Sequence, residues 1–271
     1  MVSICHSAGL RGIDGYPVAA ECFASSGLPR LDIVGLPGKA VSEAAERVRA
    51  AAKSCGFEWP VCRLTVNLAP ADTKKEGAVY DLPILLAILA AAGETAAPPE
   101  DAAFFGELSL SGDLRPVSGA LSMVLAARDA GKKAVFVPQA NAEEAAFAEG
   151  VTVYPAPGLR AVIDHLSGRT PLAPCPPPQR AREESGGLDF QHVLGQAGVK
   201  RALEIAAAGG HNVLLCGVPG SGKSLAARCF PTILPPMGSS ERLEVIRVWS
   251  ALGLGAEAAR MAGRPFRSPH H

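Results

Sequence analysis

A proline-rich segment divides this sequence into two parts that cannot share a continuous run of secondary structure. Five of the eight residues 171–178 are proline, and a polar, glycine-ended stretch follows at 180–187. Proline cannot donate a backbone hydrogen bond to a sheet or continue a helix, so such a run is typical of an extended, exposed linker. We therefore predict two domains, 1–169 and 188–271, joined by a linker at 170–187. The length of 271 residues agrees with two domains.

Composition and charge exclude several classes of protein. Apolar residues make up 48% of the chain and charged residues 19%, which supports buried cores and argues against global disorder. No apolar run reaches the roughly 20 residues that span a bilayer, and no secretory leader is recognisable at Met1. We therefore expect a cytoplasmic protein with no membrane partner. The seven cysteines include no C-x-x-C pair, which favours reduced thiols over a disulfide framework or a zinc ribbon.

Before the linker, stretches with the period of strands alternate with stretches with the period of helices, which predicts a mixed α/β domain. Strands are predicted at 31–34, 63–68, 104–110, 134–137 and 151–154, and helices at 41–55, 82–92, 120–130, 142–148 and 159–166. The helix at 82–92 is apolar on every side, so we expect it to be buried. The stretch Gly35-Leu-Pro-Gly-Lys39 imitates a phosphate loop but lacks its spacing. We interpret it as a strand-to-helix turn.

After the linker, the sequence contains a complete phosphate-loop motif, G-x-x-x-x-G-K-[ST], at residues 217–224. A strand predicted at 212–216 leads into it, and a helix predicted at 223–229 leads out; a further helix is predicted at 196–208. Glycine lets the backbone turn its N–H groups inward toward the α- and β-phosphates, and the positive end of the following helix adds to the attraction. The motif therefore predicts a site for ATP with Mg²⁺. The residues expected to bind the nucleotide are Gly217, Val218, Pro219, Gly220, Ser221, Gly222, Lys223 and Ser224.

Two side chains of the motif have individual roles. Lys223 is expected to reach the β- and γ-phosphates, and the Ser224 hydroxyl is expected to supply one ligand to Mg²⁺. A phosphate-loop ATPase also needs an acidic residue at the end of a second apolar strand, and no aspartate follows Asp189. The acids after the motif, none of which ends an apolar strand-like run, are Glu241, Glu244 and Glu257. We therefore expect no hydrolysis by this chain alone and interpret it as the N-terminal portion of a longer ATPase.

Several motifs resemble those of the magnesium-chelatase-like AAA+ ATPases of the YifB/ComM group. Besides the phosphate loop, they are Leu31-Asp-Ile-Val-Gly-Leu-Pro37, Glu46-Arg-Val-Arg-Ala-Ala51, Leu64-Thr-Val-Asn-Leu-Ala-Pro70, Tyr80-Asp-Leu-Pro83 and Arg264-Pro-Phe-Arg-Ser-Pro-His-His271. The resemblance covers nearly the whole chain and implies a Lon-protease-like α/β domain followed by an incomplete P-loop AAA+ αβα domain. It also implies assembly into a hexamer and, for the ComM proteins, ATP-driven branch migration of DNA during uptake and recombination.

The first domain is also similar to the Lon proteolytic domain, at Lys75-Glu-Gly-Ala-Val-Tyr-Asp81 and in the stretch 106–121. A Lon-type site activates a serine nucleophile with a lysine base, and the resemblance aligns these two positions with Val79 and Leu121. Neither side chain can perform that chemistry. We therefore predict a ChlI-type domain without the Ser/Lys dyad, which serves as an assembly or DNA-engaging platform. Lys74 and Lys75 are expected in a solvated loop, and a contact with phosphate is the alternative.

Three functions remain open. The leading hypothesis is an AAA+ motor that acts on DNA. The second is a metal-chelatase-type ATPase subunit that drives ion insertion into a tetrapyrrole through partner subunits, and the third is a scaffold that binds ATP at Lys223 and Ser224 without turnover. The family resemblance alone favours the first. The terminal His270 and His271 have no third ligand and do not define a metal site.

Overall fold

The computed structural model describes residues 2–178 and 187–269, and they fall into two compact units. The first unit contains 2–178 together with 246–259, and the second contains 187–245 together with 260–269. Residues 179–186 of the predicted linker, and the terminal histidine pair, lie outside the described residues. The domain boundaries drawn from the sequence stay a prediction.

The sequence-based division places residues 246–259 in the second domain, but in the structure they pack within the first unit. Ile246 and Ser250 are buried. The backbone N–H of Gly119 donates to the Ser250 carbonyl at 2.7 Å, and Arg247 forms an ion pair with Asp14 at 2.6 Å. Burial and polar contacts together therefore hold a segment from the C-terminal third of the chain in this unit.

The first unit is a mixed α/β structure, as the alternating periods predicted. Its strands are β1 (Val2–Arg11), β2 (Asp14–Ser25), β3 (Arg30–Val34), β4 (Arg63–Ala69), β5 (Ala102–Phe104), β6 (Glu107–Leu108), β7 (Leu114–Arg115), β8 (Ala134–Pro138) and β9 (Thr152–Ala156). Residues 2–178 form the helices α1 (Lys39–Ser42), α2 (Ala44–Ser54), α3 (Asp81–Ala92), α4 (Ala120–Asp129), α5 (Ala142–Ala145) and α6 (Leu159–Leu166). Later in the chain come α7 (Ala197–Gly209), α8 (Lys223–Cys229), α9 (Ser239–Ala251) and α10 (Gly255–Arg260).

The strands form three sheets. One has the order β1-β2-β4-β3, in which β3 and β4 are parallel and the other pairs are antiparallel. A second, parallel sheet has the order β5-β8-β9, and β6 pairs with β7 in a small antiparallel ribbon. The long hairpin β1–β2 was not predicted, because the buried face of β1 carries Ser3, Cys5 and Ser7 while Val2 and Ile4 are exposed. Its apolar alternation is therefore inverted relative to that of an ordinary half-buried strand.

Helix α3 forms the centre of the first unit. Every residue from Asp81 to Ala91 is buried, which confirms the prediction from its all-round apolar sequence. The helix ends at Gly93, whose φ of 82° is the left-handed conformation that closes many helices. It packs against the hairpin β1–β2 and against α2.

A buried ion pair joins α2 to the start of α3. Arg47 donates from Nε and Nη2 to the two carboxylate oxygens of Asp81 at 2.8 and 2.9 Å, and the Leu108 N–H donates to the same carboxylate at 3.2 Å. Burial raises the pKa of Asp81, and the hydrogen bonds from Arg47 oppose that rise. Two of the sequence motifs named above, around residues 46–51 and 80–83, therefore meet in one polar contact inside the domain.

Two predicted elements are interrupted in the structure, and a third is shortened. The helix predicted at 41–55 is divided at Glu43 into α1 and α2, where Arg47 Nη2 binds the Ala40 carbonyl at 2.8 Å. The strand predicted at 104–110 ends at Phe104 and resumes as β6, because Gly106 has a φ of 151° that breaks the extended run. The helix predicted at 142–148 is shorter and ends at Ala145.

The stretch Gly35-Leu-Pro-Gly-Lys39 connects strand β3 to helix α1, which confirms its interpretation as a strand-to-helix turn. Gly35 has a φ of 96°, and a Cβ there would overlap the Leu68 carbonyl.

Lys75 is buried, so the expected solvated loop is wrong for this residue. Its side chain is 0% exposed, and Nζ donates to the Pro70 carbonyl. Its backbone is tied to the turn that precedes α1, since Lys75 N donates to Leu36 O at 3.0 Å and Gly38 N donates to Lys75 O at 2.8 Å. Burial lowers the pKa of Lys75. Lys74, in contrast, is exposed and pairs with its neighbour Glu76.

The described part of the second unit is helical. The helices predicted at 196–208 and 223–229 are present as α7 and α8. The strand predicted at 212–216 is wrong: no strand is assigned there, and Leu214 is 86% exposed. A strand needs a neighbour for its N–H and C=O groups, and within 187–269 no other segment is a strand. The αβα architecture of an AAA+ domain therefore stays a prediction.

Within 2–178 and 187–269, no helix combines the length and the apolar character needed to cross a bilayer.

Candidate functional site

A small apolar core supports the phosphate-loop motif in the second unit. Its buried members come from α7, α8 and the turn at 190–193, and Leu215 packs against them from the segment that leads into the loop. The buried members are Phe190, Val193, Leu203, Ala226 and Cys229. The Phe190 N–H donates to Thr232 Oγ1 at 3.1 Å, which joins the turn to the residues after α8. Helix α8 is therefore fixed by the apolar core and, through the residues that follow it, by the hydrogen bond to the turn at 190–193.

The backbone of the loop turns at its glycines, as the motif requires. Gly220 and Gly222 have φ values of 81° and 82°, which side chains rarely tolerate. Gly222 is the N-cap of α8, which begins at Lys223. A Cβ at Gly217 would lie 3.1 Å from Ser221 Oγ, so the loop has little room for a side chain there. Residues 217–222 thus lead into the positive end of α8, and Lys223 and Ser224 form the start of this helix.

The Lys223 ammonium is bound by the loop itself. Nζ donates to the carbonyls of Gly217 and Val218, both at 2.8 Å, and to Ser221 Oγ at 3.2 Å. These three oxygens neutralise no charge, so the ammonium keeps a net positive field at the centre of the loop. Phosphate oxygens are stronger acceptors for an ammonium than neutral carbonyls are. The arrangement therefore fits a phosphate group.

Gln196 was not predicted from the sequence and contacts the loop directly. Its Nε2 donates to the Ser221 carbonyl at 2.8 Å and lies 3.4 Å from where a Cβ at Gly222 would stand. Gln196 has a φ of 50°, an uncommon value for a residue with a side chain, at the start of α7. With this backbone angle its amide contacts the loop, and a sequence pattern alone carries no signal for such a conformation.

A cavity of about 270 Å³ lies beside the loop. Its apolar wall is made by Val199, Leu215 and Ala226, and its polar wall by Gln196 and loop residues that include Lys223. A space of this kind, with an apolar side and a few converging polar groups, is typical of a small-molecule site.

The structure gives a partial fit for a magnesium ion. Ser224 lies in the first turn of α8 and its side chain is exposed, so its hydroxyl is available as one ligand. Among the described residues, no group of three His, Cys, Asp or Glu side chains is arranged to hold a metal. Glu241 and Glu244 lie on α9 and Glu257 lies on α10. Glu241 is paired with Arg264, whose hydrogen bonds lower the pKa of this carboxyl.

The two positions aligned with the Lon dyad are apolar and buried in the first unit. Val79 is on the turn before α3, where its carbonyl accepts from the Gly106 N–H at 3.0 Å, and Leu121 lies in the first turn of α4. Neither side chain has a group that can act as a nucleophile or a base. The absence of peptidase activity stays a prediction.

Two family models match the chain, one in each predicted domain. The model described as subunit ChlI of Mg-chelatase matches residues 20–141, and the model described as magnesium chelatase, subunit ChlI, matches residues 189–271. The chain therefore contains two regions of the Mg-chelatase ChlI family, with the phosphate loop in the second.

The relatives narrow the resemblance to the YifB/ComM group, as the sequence motifs predicted. The chain is 41% identical to YifB of Escherichia coli over 271 residues, which is all of this chain and 53% of YifB. It is 39% identical to the competence protein ComM of Haemophilus influenzae over 275 residues, which covers all of this chain and 54% of ComM. The chain thus spans about half the length of the curated relatives it matches.

Similarity to Lon is confined to part of the chain. Lon protease 2 of Syntrophobacter fumaroxidans is 32% identical over 139 residues, which is 49% of this chain and 18% of that protease. A Lon-like fold for the first domain is therefore supported by sequence over about half the chain.

Proposed function

We propose that this chain is the nucleotide-binding part of a P-loop ATPase of the ChlI family and that the longer protein uses ATP to move DNA strands. The observation that carries the nucleotide site is the loop 217–224, where two left-handed glycines and the start of α8 surround the Lys223 ammonium. Backbone N–H groups at such a turn, together with the helix dipole, favour a bound phosphate.

Each group of the loop has a role in this proposal. The backbone N–H groups of the loop hold the α- and β-phosphates, and Lys223 exchanges its loop carbonyls for phosphate oxygens. Ser224 provides one oxygen ligand to Mg²⁺, which neutralises phosphate charge when bound. Gln196 holds the Ser221 carbonyl and so keeps the loop in its turned conformation. We expect no hydrolysis by this chain alone, since no aspartate follows Asp189 and none of the glutamates after the loop ends an apolar strand-like run.

The DNA-directed part of the proposal rests on the similarity to the YifB/ComM group. We expect the longer protein to assemble as a hexamer, to bind DNA and to couple ATP turnover to branch migration. A second candidate is an ATPase subunit for metal insertion into a tetrapyrrole, which the descriptions of the two family models favour. Turnover by the longer protein that increases with branched or single-stranded DNA supports the motor. Turnover that responds only to a porphyrin-handling partner supports the chelatase.

Replacement of Lys223 by alanine tests the nucleotide site. A hydrogen bond from a charged group contributes about 1.5–3 kcal/mol, so Lys223→Ala is expected to weaken the binding of a fluorescent ATP analogue about 10-fold or more. Arg201→Ala is the matched control, because Arg201 is an exposed cation of α7 that pairs with Glu204 on its own helix. Equal affinities of the two variants would refute the assignment of Lys223.

A further inference from the structure

A second, larger cavity lies in the first unit, far along the chain from the phosphate loop. It has a volume of about 630 Å³ and lies between one side of α2 and the loop that follows this helix. Its lining residues are Pro29, Arg49, Lys53, Gly56, Phe57, Glu58, Trp59, Pro60 and Val61. We call it the α2 groove. Its volume is within the range of ligand-binding clefts, and none of its lining residues belongs to the phosphate loop.

Two cations of the α2 groove are available to a ligand. Arg49 and Lys53 are exposed and four residues apart on α2, so their Cβ atoms are about 5–6 Å apart on one face. Among the described residues, neither side chain takes part in an ion pair or hydrogen bond. Nearby Arg30 and Arg63 behave differently, since both pair with Asp32 at 2.7 and 3.5 Å.

Two aromatic rings lie in the wall next to these cations. Phe57 and Trp59 are half-buried, so part of each ring faces the groove. The Arg160 guanidinium lies 5.2 Å from the centre of the Phe57 ring and covers one face of it. Phe57 and Arg160 also line a neighbouring cavity of about 240 Å³, which extends the aromatic and basic surface past the end of α2.

The charge of the α2 groove favours an anionic ligand. Glu58 is the one acidic side chain among the described residues that line it. The exposed apolar Val61, at 86% exposure, lies at the same wall and is a contact surface for a flat or apolar group. The groove thus combines unpaired cations with ring faces.

We propose that the α2 groove binds a single strand of nucleic acid, with Arg49 and Lys53 on its phosphates and with Trp59 and Phe57 against its bases. Sequence-tolerant binders of single strands combine a basic groove along the backbone with aromatic side chains that stack on bases. A duplex hides its base faces, and a run of Asp and Glu residues has no ring to stack, so neither uses both features of this wall. The inference deepens the proposed function and rests on it only for the choice of DNA over RNA.

Anisotropy of a fluorescent oligothymidine, with the full chain as titrant, tests the groove. The variant Arg49→Glu/Lys53→Glu is expected to bind at least about 10-fold more weakly. Each lost phosphate contact reduces the magnitude of the negative slope of log K against log salt by about 0.7 for a single strand, so the slope is expected to become shallower by about 1.4. The control Arg11→Glu/Lys133→Glu changes the net charge equally at two exposed cations outside the groove, and it is expected to bind like the wild type.

A second variant tests the stacking. Trp59→Ala is expected to weaken binding at least about 5-fold with an unchanged salt slope, because a stacked base contributes through contact and not through charge. Trp59→Phe keeps a ring and is expected to restore most of the affinity. A thermal melt of each variant identifies any loss of affinity that comes from unfolding. If Trp59→Ala unfolds, the Arg49→Glu/Lys53→Glu variant, whose substitutions are at exposed positions, tests the groove instead.

Four results have distinct meanings. Equal losses in the groove variant and the charge-matched control would overturn the inference, and so would displacement of the oligonucleotide by polyglutamate at equal charge concentration. Absence of any binding by the wild type would overturn both the groove and the DNA part of the proposed function, while leaving the nucleotide site to its own test. Tighter binding of oligouridine than of oligothymidine, lost in the groove variant, would support the groove and contradict the choice of DNA.

Discussion

Removal of the buried Asp81 carboxylate is expected to destabilise the first unit strongly. Asp81 is 0% exposed and accepts three hydrogen bonds, two from Arg47 and one from the Leu108 N–H. Asp81→Ala removes the carboxylate partner of a guanidinium that is 21% exposed and leaves it the neutral Ala40 carbonyl, and it removes the side-chain acceptor of the Leu108 N–H. Breaking a buried pair from one side costs about 3–5 kcal/mol. In a unit of this size that cost lowers Tm by about 6–20 °C.

Circular dichroism during heating measures this loss, with Asp32→Ala as the matched control. Asp32 also forms ion pairs with arginine, in this case with Arg30 and Arg63, but both of these arginine side chains are more than half exposed. A surface pair of that kind contributes about 1 kcal/mol at most, so the control is expected to lose less than about 4 °C. Equal shifts in the two variants would refute the reasoning.

A double replacement separates pairing from packing. Since a buried pair can often be replaced by apolar residues of similar volume at little cost, Arg47→Met/Asp81→Leu is expected to be more stable than Asp81→Ala. If the stability lost by the double variant equals the sum of the stabilities lost by Arg47→Met and by Asp81→Leu, the two side chains act independently.

Three further predictions concern other contacts. Gln196→Ala removes one hydrogen bond to the Ser221 carbonyl, worth about 0.5–1.5 kcal/mol, and is expected to weaken ATP binding about 2- to 10-fold by calorimetry without altering Tm by more than a few degrees. Burial raises the pKa of Glu144, so its charge costs stability above that pKa and the cost disappears as the pH falls and the carboxyl is protonated. Glu144→Gln is therefore expected to raise Tm by about 2–4 °C at neutral pH, and the gain is expected to vanish in acid; a gain that grows in acid would contradict the sign. Gly35→Ala is expected to lower Tm of the chain by several degrees, because its Cβ overlaps the Leu68 carbonyl at a φ of 96°; an unchanged Tm would show that the turn can relax.

The strongest periodic signals in the sequence predicted the fold best. Helix α3 is apolar on every side because it is buried on every side, and the strand β4 alternates because one face is buried. The hairpin β1–β2 escaped detection because buried serines and cysteine occupy the positions where a pattern search expects large apolar residues. Burial of a serine is decided by its tertiary neighbours, and these are not encoded in local periodicity.

The segment 212–216 shows the opposite error, a strand that the sequence predicts and the structure does not contain. Its apolar, β-branched and leucine residues satisfy every local rule for a strand, yet a strand exists only when a neighbour accepts its hydrogen bonds. The local sequence describes one strand of such a pair and does not show whether a partner strand is present. The prediction failed because pairing is a property of two segments.

The candidate site was predicted unevenly for a similar reason. The motif names all eight residues of the loop at 217–224, because phosphate binding by backbone groups requires glycines and a lysine at fixed spacing. Gln196 lies more than twenty residues before the loop and reaches Ser221 through an unusual backbone angle. The pairing of Arg47 with Asp81 likewise joins two motifs that the sequence presents separately.

Calorimetric titration of the full chain with ATP and with AMP, each with Mg²⁺, tests the central claim most directly. A site built from the loop 217–224 recognises the β- and γ-phosphates through Lys223, so ATP is expected to bind at one saturable site and AMP is expected to give no saturable heat. Equal binding of ATP and AMP, or no heat with ATP, would contradict the assignment of this loop as a nucleotide site.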